Sequence, residues 1–201
     1  MNSIVILDTS LFVNPASSHV FGPTPTMAFQ EFLDLAREKL DTKFLMPPSI
    51  YAELMHFAEE AKIPRELLLV VHKQPPKKHE LKIPAIFIYE LVEAMRDRID
   101  RGLRLAERHT REAIDMSPPP KGEHHKGPRA DAEVIGRLRE SYRRIMREGM
   151  LDSKADVDLL LLAYETGGKL ASADEGVLLW AENMGIPILS YDHLYEFVTD
   201  K

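Results

Sequence analysis

Two long helical patterns interrupt an otherwise regular alternation of short strands and helices in this sequence. Pro84 opens one pattern, which continues to about Ile114, and the other runs from about Ala130 to Glu148. The proline-rich segment Met116–Arg129 separates them, because consecutive prolines and glycines break helices. The sequence therefore predicts an α/β domain formed by residues 1–82 and 150–201, with a projecting helical hairpin, residues 83–149, inserted into it.

Short apolar runs within the α/β part predict the strands of a parallel sheet. The predicted strands are Ser3–Leu7, Lys43–Met46, Lys169–Ser172 and Ile186–Ser190. Helical spacing predicts helices at Thr26–Lys39, Tyr51–Ala61, Asp156–Thr166 and Gly176–Asn183. A loop containing Pro15, Pro23 and Pro25 is expected after the first strand, and Arg65–His72 fits a helix or a strand equally well.

Composition excludes several classes of protein. The chain has no cysteine, which rules out disulfide frameworks, thiolate zinc sites and cysteine nucleophiles. No run approaches the roughly 18 apolar residues of a membrane helix, and the N-terminus lacks the features of a signal peptide. We therefore expect a cytoplasmic protein with no membrane partner.

The charge is distributed unevenly along the chain. The formal net charge is −6, yet residues 91–150 carry 14 Lys and Arg against 11 Asp and Glu, and 12 of those 14 cations are arginine. Arginine is suited to bidentate contact with phosphate. An acidic body with an arginine-rich segment is compatible with a nucleic-acid partner.

Acidic residues follow two of the predicted strands, at the point where each of the two ends. Asp8 comes directly after the first strand, and Asp174 lies just beyond the strand Lys169–Ser172. In open parallel sheets this carboxyl edge is where ligands bind. Three more aspartates lie around the start of the helix that precedes this strand: Asp152, Asp156 and Asp158. Asp152 and Asp156 share a helix face if the helix begins early enough.

Each acidic position also has a purely structural explanation. Ser153 and Asp156 have the spacing of a capping box, and capping is the usual role of such a pair at a helix start. Asp174 can cap the next helix, and Asp8 can form a turn. Capping does not explain why three acidic segments converge on one predicted edge of the sheet, where crowded carboxylates raise one another's pKa unless cations neutralise them.

Oxygen ligands without cysteine or clustered histidine favour Mg²⁺ or Mn²⁺ over zinc. Such ions, when paired, stabilise the attacking and the leaving oxygen of a phosphodiester. The pattern of acidic residues therefore favours a metal-dependent nuclease.

An ordered set of motifs extends over nearly the whole chain. It comprises LDTSLF followed by NP at the start, FLMPPSIYAEL, RLRESYR, GMLDSKADVDLLLLAYE, and DEG with WA near the end. Together these motifs resemble the PIN-domain nucleases and, more closely, the HARP group of minimal protein-only ribonucleases P related to the Aquifex enzyme. The resemblance implies a PIN-like, three-layer α/β fold with a parallel sheet and an inserted long helical hairpin.

The resemblance also implies an activity, a cofactor and partners. Such proteins cleave the 5′ leader from precursor tRNA with no RNA subunit and use metal ions bound by PIN-domain aspartates. Combined with the ligand chemistry above, this predicts Mg²⁺ as the cofactor, with Mn²⁺ as a substitute, and hydrolysis that leaves a 5′-phosphate on the tRNA. Such proteins also form homo-oligomers through the inserted helices, with dimers assembling further. Carried onto matching positions, the catalytic carboxylates are Asp8, Asp152, Asp156, Asp158 and Asp174. All of these except Asp152 are expected to bind metal, although Asp158, like Asp152, can instead position water. Glu53 matches a general PIN position but stays outside the set.

The second hairpin helix carries an arginine ladder. Arg139, Arg143 and Arg147 repeat every four residues and share a face, with Arg137 beside them. A solvated helix surface with local ion pairs is the usual explanation for such a pattern, but arginines outnumber acids by five to one over residues 137–147. The excess fits phosphate contact, and the resemblance assigns tRNA contact to the same helix.

Apolar residues of the hairpin exceed what two helices bury against each other, which favours self-association. They are Ile86, Leu91, Met95, Ile99, Leu103 and Leu105. Two other functions stay open: a toxin-like PIN ribonuclease with another RNA target, and a non-catalytic RNA-binding scaffold. The long hairpin disfavours the first, and the intact set of aspartates disfavours the second.

Overall fold

The computed structural model of the chain describes residues 3–115, 130–147, 151 and 153–200. The chain divides into two compact units: Met1–Phe87 together with Leu151–Lys201, and Ile88–Met150. The predicted hairpin tip, Met116–Arg129, lies outside the described residues.

Five parallel strands form one sheet in the order β3-β2-β1-β4-β5. The strands are β1 (Ser3–Leu7), β2 (Thr42–Met46), β3 (Val71–Lys73), β4 (Lys169–Ala171) and β5 (Ile188–Leu189). Val5 of β1 pairs with Phe44 on one side and with Lys169 on the other. The apolar run Ile4–Leu7 suits this central strand, because both faces of a parallel sheet are normally covered. The α/β fold with a parallel sheet is therefore as predicted.

The helices lie close to their predicted positions, with a few differences. They are α1 (Ser10–Val13), α2 (Pro15–Ser18), α3 (Pro25–Ala36), α4 (Pro48–Phe57), α5 (Ala85–Asp115), α6 (Ala130–Arg147), α7 (Lys154–Thr166), α8 (Glu175–Asn183) and α9 (Tyr191–Thr199). None of these described helices is long and apolar enough to cross a membrane.

Helices α1 and α2 occupy a segment that the sequence predicted to be a loop. Pro15 and Pro25 were expected within that loop, whereas they begin α2 and α3, where proline is well tolerated. The ambiguous segment Arg65–His72 divides into a 3₁₀ turn, Leu67–Leu69, and the start of β3. Helix α9 was not predicted.

Phenylalanine side chains hold α1 and α3 on the sheet. Phe12 of α1 contacts Phe29 of α3 edge to face, with ring centroids 5.1 Å apart. Phe32 of α3 makes a similar contact with Phe44 of β2 at 5.3 Å. Edge-to-face pairs are favourable because the positive edge of one ring meets the negative face of the other. This cluster fixes the position of α1, which begins two residues after Asp8.

Two glycines connect α7 to β4, the strand that pairs with β1. Gly167 has φ +63° and ends α7 in the left-handed conformation. At Gly168 a Cβ atom would approach the side chains of Ile4 and Ile6 too closely, and it would lie only 3.0 Å from the Ile4 carbonyl oxygen. The absence of a side chain at Gly168 therefore permits the close pairing of β1 and β4.

Helices α5 and α6 contact each other within the second unit. Leu105 and His109 of α5 and Val134 of α6 are buried. A Cβ atom at Gly102 would lie 3.2 Å from the ring of Tyr142, and Arg137 forms an ion pair with Glu112. Gly102 thus meets residue 142, whereas Glu112, further along α5, meets residue 137, earlier on α6, so the two helices are antiparallel.

Candidate active site

Asp8 lies at the carboxyl end of the central strand and is buried, with 5% of its surface exposed. Its backbone N–H donates to the Ala171 carbonyl oxygen of β4 at 3.0 Å. Its Oδ2 accepts hydrogen bonds from the Ser10 hydroxyl at 2.5 Å and from the Ser172 hydroxyl at 2.6 Å. One carboxylate oxygen is therefore oriented by residues that follow β1 and β4, the strands between which the crossover direction of the sheet reverses.

The surroundings of Asp8 raise the pKa of its carboxyl group. Burial is the largest cause, because the ionised form loses its hydration, and the charge of Asp174 acts in the same direction. The Ser10 and Ser172 hydroxyls lower the pKa but do not offset burial. Asp8 therefore lies in a site that disfavours its own negative charge.

Asp174 caps the helix that follows it, which is the structural role that the sequence suggested for this residue. Its Oδ1 accepts from the Val177 backbone N–H at 3.0 Å at the start of α8. Its own backbone N–H donates to the Ser172 hydroxyl oxygen at 3.0 Å. Ser172 therefore connects the backbone of one acidic residue with the carboxylate of the other, Asp8.

Asp156 forms the predicted capping box at the start of α7. Its backbone N–H donates to the Ser153 hydroxyl oxygen at 3.0 Å, and its Oδ2 accepts from the Ser153 N–H at 3.3 Å. Helix α7 begins at Lys154, which is after Asp152, so the condition for stacking Asp152 and Asp156 on one helical face is not met. Asp152 itself lies outside the described residues.

Asp158 is held by donors on both of its oxygens. The ammonium group of Lys78 lies 2.6 Å from Oδ1, and the Ser49 hydroxyl donates to Oδ2 at 3.0 Å. The Asp158 side chain is 13% exposed, whereas that of Lys78 is 53% exposed. Ser49 belongs to α4, whose Ile50 carbonyl oxygen accepts from the Thr9 hydroxyl at 3.1 Å. This chain of contacts places Asp158 at the same edge of the sheet as Asp8.

The structure brings together only part of the predicted set of carboxylates. Asp8 and Asp174 are close enough for their charges to interact. Asp156 instead forms the capping box of α7, and Asp158 contacts Lys78 and Ser49. Within residues 3–115, 130–147, 151 and 153–200, no three acidic or histidine side chains are grouped closely enough to hold a metal ion. Glu53, which was left outside the set, is exposed on α4.

Several polar residues of this edge were not singled out from the sequence. Ser172 follows β4 just as Asp8 follows β1, so its position after a strand was the available signal. Ser49 follows two prolines at the start of α4, a common place for a small polar residue. Lys78 lies in a polar connector after β3, and nothing in the local sequence indicates that it reaches α7.

The arginines of α6 differ in their contacts. Arg137 forms ion pairs with Glu112 and with Glu133, the latter at 2.9 Å. Arg139 and Arg143 are exposed, and neither forms an ion pair with any other residue whose side chain is described. Arg147 belongs to α6, but its side chain is outside the described part.

The apolar residues of α5 lie on two faces. Leu105 is buried, whereas Met95, Ile99 and Leu103 are 49%, 63% and 58% exposed. Ile88 and Val92 extend the exposed set towards the start of the helix, at 49% and 48%. The spacing of four and three residues places them in one apolar stripe.

Comparison with known proteins relates nearly the whole length of this chain to ribonucleases. Residues 4–200 match the family model described as a PINc domain ribonuclease. An RNA-free ribonuclease P of Pyrococcus horikoshii is 48% identical over 183 residues, which cover 90% of this chain and 84% of that protein. The protein of the same name from Nitrosococcus oceani is 43% identical over 94% of this chain and 90% of its own length. The one from Thermodesulfovibrio yellowstonii is 38% identical over 96% of this chain and 92% of its own length.

Proposed function

This chain belongs to the PINc-domain ribonucleases and, among them, to the family of RNA-free ribonucleases P, and on that premise we propose that it removes the 5′ leader from precursor tRNA. The family and the PIN-like fold are those that the sequence predicted. The chain is accordingly an endoribonuclease that acts without an RNA subunit. The observation that carries this function is the identity with proteins of that name over about nine-tenths of the chain.

Nucleases with PIN domains generally use divalent metal ions. The carboxylate edge fits such an ion chemically, because Asp8 is buried and the charge of Asp174 raises its pKa further. A cation at this position would offset both effects. Hard oxygen ligands favour Mg²⁺, with Mn²⁺ as a substitute.

In this proposal Asp8, Asp156, Asp158 and Asp174 hold the metal, and Asp152 contributes to catalysis at the same edge. When bound, the ion supplies Lewis acidity and lowers the pKa of water. Ser10 and Ser172 hold the Asp8 carboxylate in one orientation. Hydrolysis breaks the bond between phosphorus and the 3′-oxygen of the leader, which leaves a 3′-hydroxyl on the leader and a 5′-phosphate on the tRNA.

Arg139 and Arg143 are proposed to contact the phosphates of precursor tRNA. Both are exposed and have no ion pair with another described side chain, so their charge is available to the RNA. Arg147 shares their face of α6 by its spacing. Arg137 is the weakest member of the proposed set, since two glutamates already pair with it.

A second copy of this chain is proposed to cover the apolar stripe of α5. An amphipathic helix that exposes such a stripe in a single chain commonly buries it in an assembly. We expect dimers through the inserted helices of residues 83–149, which assemble further into larger homo-oligomers.

Cleavage of a 5′-labelled precursor tRNA tests the proposed function. The purified protein is incubated with Mg²⁺ and with EDTA, beside an Asp8→Ala variant that thermal unfolding shows to be folded. A single Mg²⁺-dependent cut at the mature 5′ end, absent in the variant, is expected. Cuts at other positions would indicate a toxin-like PIN ribonuclease. Binding without cleavage in Mg²⁺ or Mn²⁺ would indicate an RNA-binding scaffold.

A further inference from the structure

A pocket of about 630 Å³ opens beside Asp8, at the carboxyl ends of β4 and β5. Two of its lining residues, Ser10 and Ser172, are the residues whose hydroxyls donate to the Asp8 carboxylate. The pocket is therefore continuous with the candidate site rather than a separate cavity. Its volume lies in the range of small-molecule sites, and it exceeds what a water molecule or a metal ion requires.

The lining of the pocket combines a flat aromatic ring with apolar side chains. Tyr191, Leu178 and Ile188 line it and are half-buried. Asn14 and Ser190 add polar groups, and the Asn14 side-chain amide donates to the Ala173 carbonyl oxygen at 3.5 Å. The pocket thus combines an aromatic residue and apolar side chains with several hydrogen-bonding groups, and such a combination suits a planar heterocycle.

The charges of the pocket exclude an anion as the preferred occupant. Asp174 and Glu175 line it, and no lysine or arginine is among the described residues that do so. Because no basic side chain is among these residues, a phosphate group there would depend on the metal ion alone to offset the negative charge. A neutral ring with amino groups would instead find carboxylate and amide oxygens as hydrogen-bond acceptors.

We propose that this pocket receives the unpaired base of the nucleotide on the leader side of the scissile phosphate. The proposal rests on the proposed function, since precursor tRNA supplies the nucleotide. The base on the tRNA side of that phosphate is paired in the acceptor stem and is not free to leave it. Proteins that read single-stranded RNA commonly unstack a base and hold it against an aromatic side chain, and Tyr191 offers that ring.

A variant of Tyr191 combined with a modified substrate tests the pocket. Tyr191→Ala removes the ring, and Tyr191→Phe keeps it and serves as the matched control. Each protein is assayed on precursor tRNA with a normal last leader nucleotide, with an abasic residue at that position, and with an abasic residue one position further upstream. Melting temperatures establish that the variants are folded.

Stacking of one base predicts that Tyr191→Ala lowers kcat/KM on the normal substrate about five- to 100-fold. The loss should disappear when the last leader nucleotide is abasic and remain when the upstream nucleotide is abasic, and Tyr191→Phe should behave as wild type. An equal loss on all three substrates would overturn the proposal while leaving the ribonuclease P activity intact. So would the absence of any loss.

A binding measurement separates failure of the pocket from failure of the proposed function. A fluorescent base, 2-aminopurine, replaces the last leader base, and its quenching on binding is recorded in EDTA, where no cleavage is expected. Quenching by wild type and Tyr191→Phe but not by Tyr191→Ala supports the pocket even if the wild-type protein cuts no precursor tRNA. Quenching that is equal in Tyr191→Ala, or absent in all three proteins, refutes it.

Discussion

Ser172 and Asp8 are 164 positions apart in sequence and joined by a hydrogen bond of 2.6 Å. The contact depends on the pairing of β4 with β1, and it places a hydroxyl donor on a buried carboxylate. Because the same hydroxyl accepts from the Asp174 N–H, Ser172 orders both acidic residues of the site.

Ser172→Ala should lower kcat/KM about 10- to 100-fold, the usual cost of removing a group that orients a metal ligand. Loss of this donor also raises the pKa of Asp8, since the Ser172 hydroxyl lowers it in the wild-type protein. The acidic limb of the pH–rate profile should therefore move to higher pH. An unchanged profile, at wild-type melting temperature, would show that Ser172 does not act through Asp8.

Asp8→Asn should abolish cleavage and yet stabilise the metal-free protein at neutral pH. Folding raises the pKa of Asp8 above its ordinary value of 3.8, so the folded state binds this proton more tightly than the unfolded state. The stabilisation that this proton gives the folded state is fully present below pH 3.8. It is lost as the pH rises through the pKa that Asp8 has in the folded protein. Thermal unfolding in EDTA should give Asp8→Asn the higher melting temperature at pH 7, with a difference that shrinks towards pH 4. A lower melting temperature for Asp8→Asn than for wild type at pH 7 would contradict the predicted destabilisation by the Asp8 charge.

Lys78→Met should lower the Mg²⁺ concentration that gives half-maximal cleavage, by about two- to tenfold. The Lys78 ammonium neutralises Asp158, and its removal leaves a more negative site for a cation. Lys77→Met is the matched control, because Lys77 pairs instead with Glu165 at 3.8 Å and is similarly exposed. Equal midpoints for the two variants would remove Asp158 from the proposed metal ligands.

Arg143→Ala should weaken RNA binding and reduce the slope of log affinity against log salt concentration by about 0.7 to 0.9, the value of one phosphate contact. Arg137→Ala is the comparison on the same helix, because its guanidinium group is already paired with Glu112 and Glu133. It should leave the slope nearly unchanged. Filter binding in EDTA at several salt concentrations measures both, and equal slopes for Arg143→Ala and wild type would exclude this contact.

Ile99→Lys should disrupt self-association, because it places a charge in the exposed apolar stripe of α5, where Ile99 is 63% exposed. Leu40→Lys is the control, since Leu40 is an isolated apolar residue that is 89% exposed. Sedimentation velocity should show a smaller species for Ile99→Lys only. If both variants sediment like wild type, α5 does not form the interface.

Four of the five strands and the position of Asp8 were predictable because they depend on local sequence. An apolar run such as Ser3–Leu7 identifies a covered strand, and a polar residue after it must lie at the carboxyl edge. The capping roles of Asp156 and Asp174 were also recognisable, because capping depends on residues three positions apart.

The contacts of Asp158 were not predictable in the same way. They depend on the path of a connector that returns to α7 from β3, so that Lys78 meets a residue 80 positions away. Helix α2 was not predicted, because it begins at Pro15. Proline breaks a helix in its interior but is favoured at its start. Local sequence thus defines the elements, but the partners that tune a carboxylate come from the tertiary structure.

The strand order ties assembly of the site to the completion of synthesis. While a nascent chain has not reached β4, one edge of β1 has no partner, and Asp8 lacks the Ser172 hydroxyl that orients it. Strand β1 therefore gains its second neighbour only when β4 has been synthesised. The carboxylate edge around Asp8 is therefore complete only after residues 169–172 have been synthesised and have paired with β1.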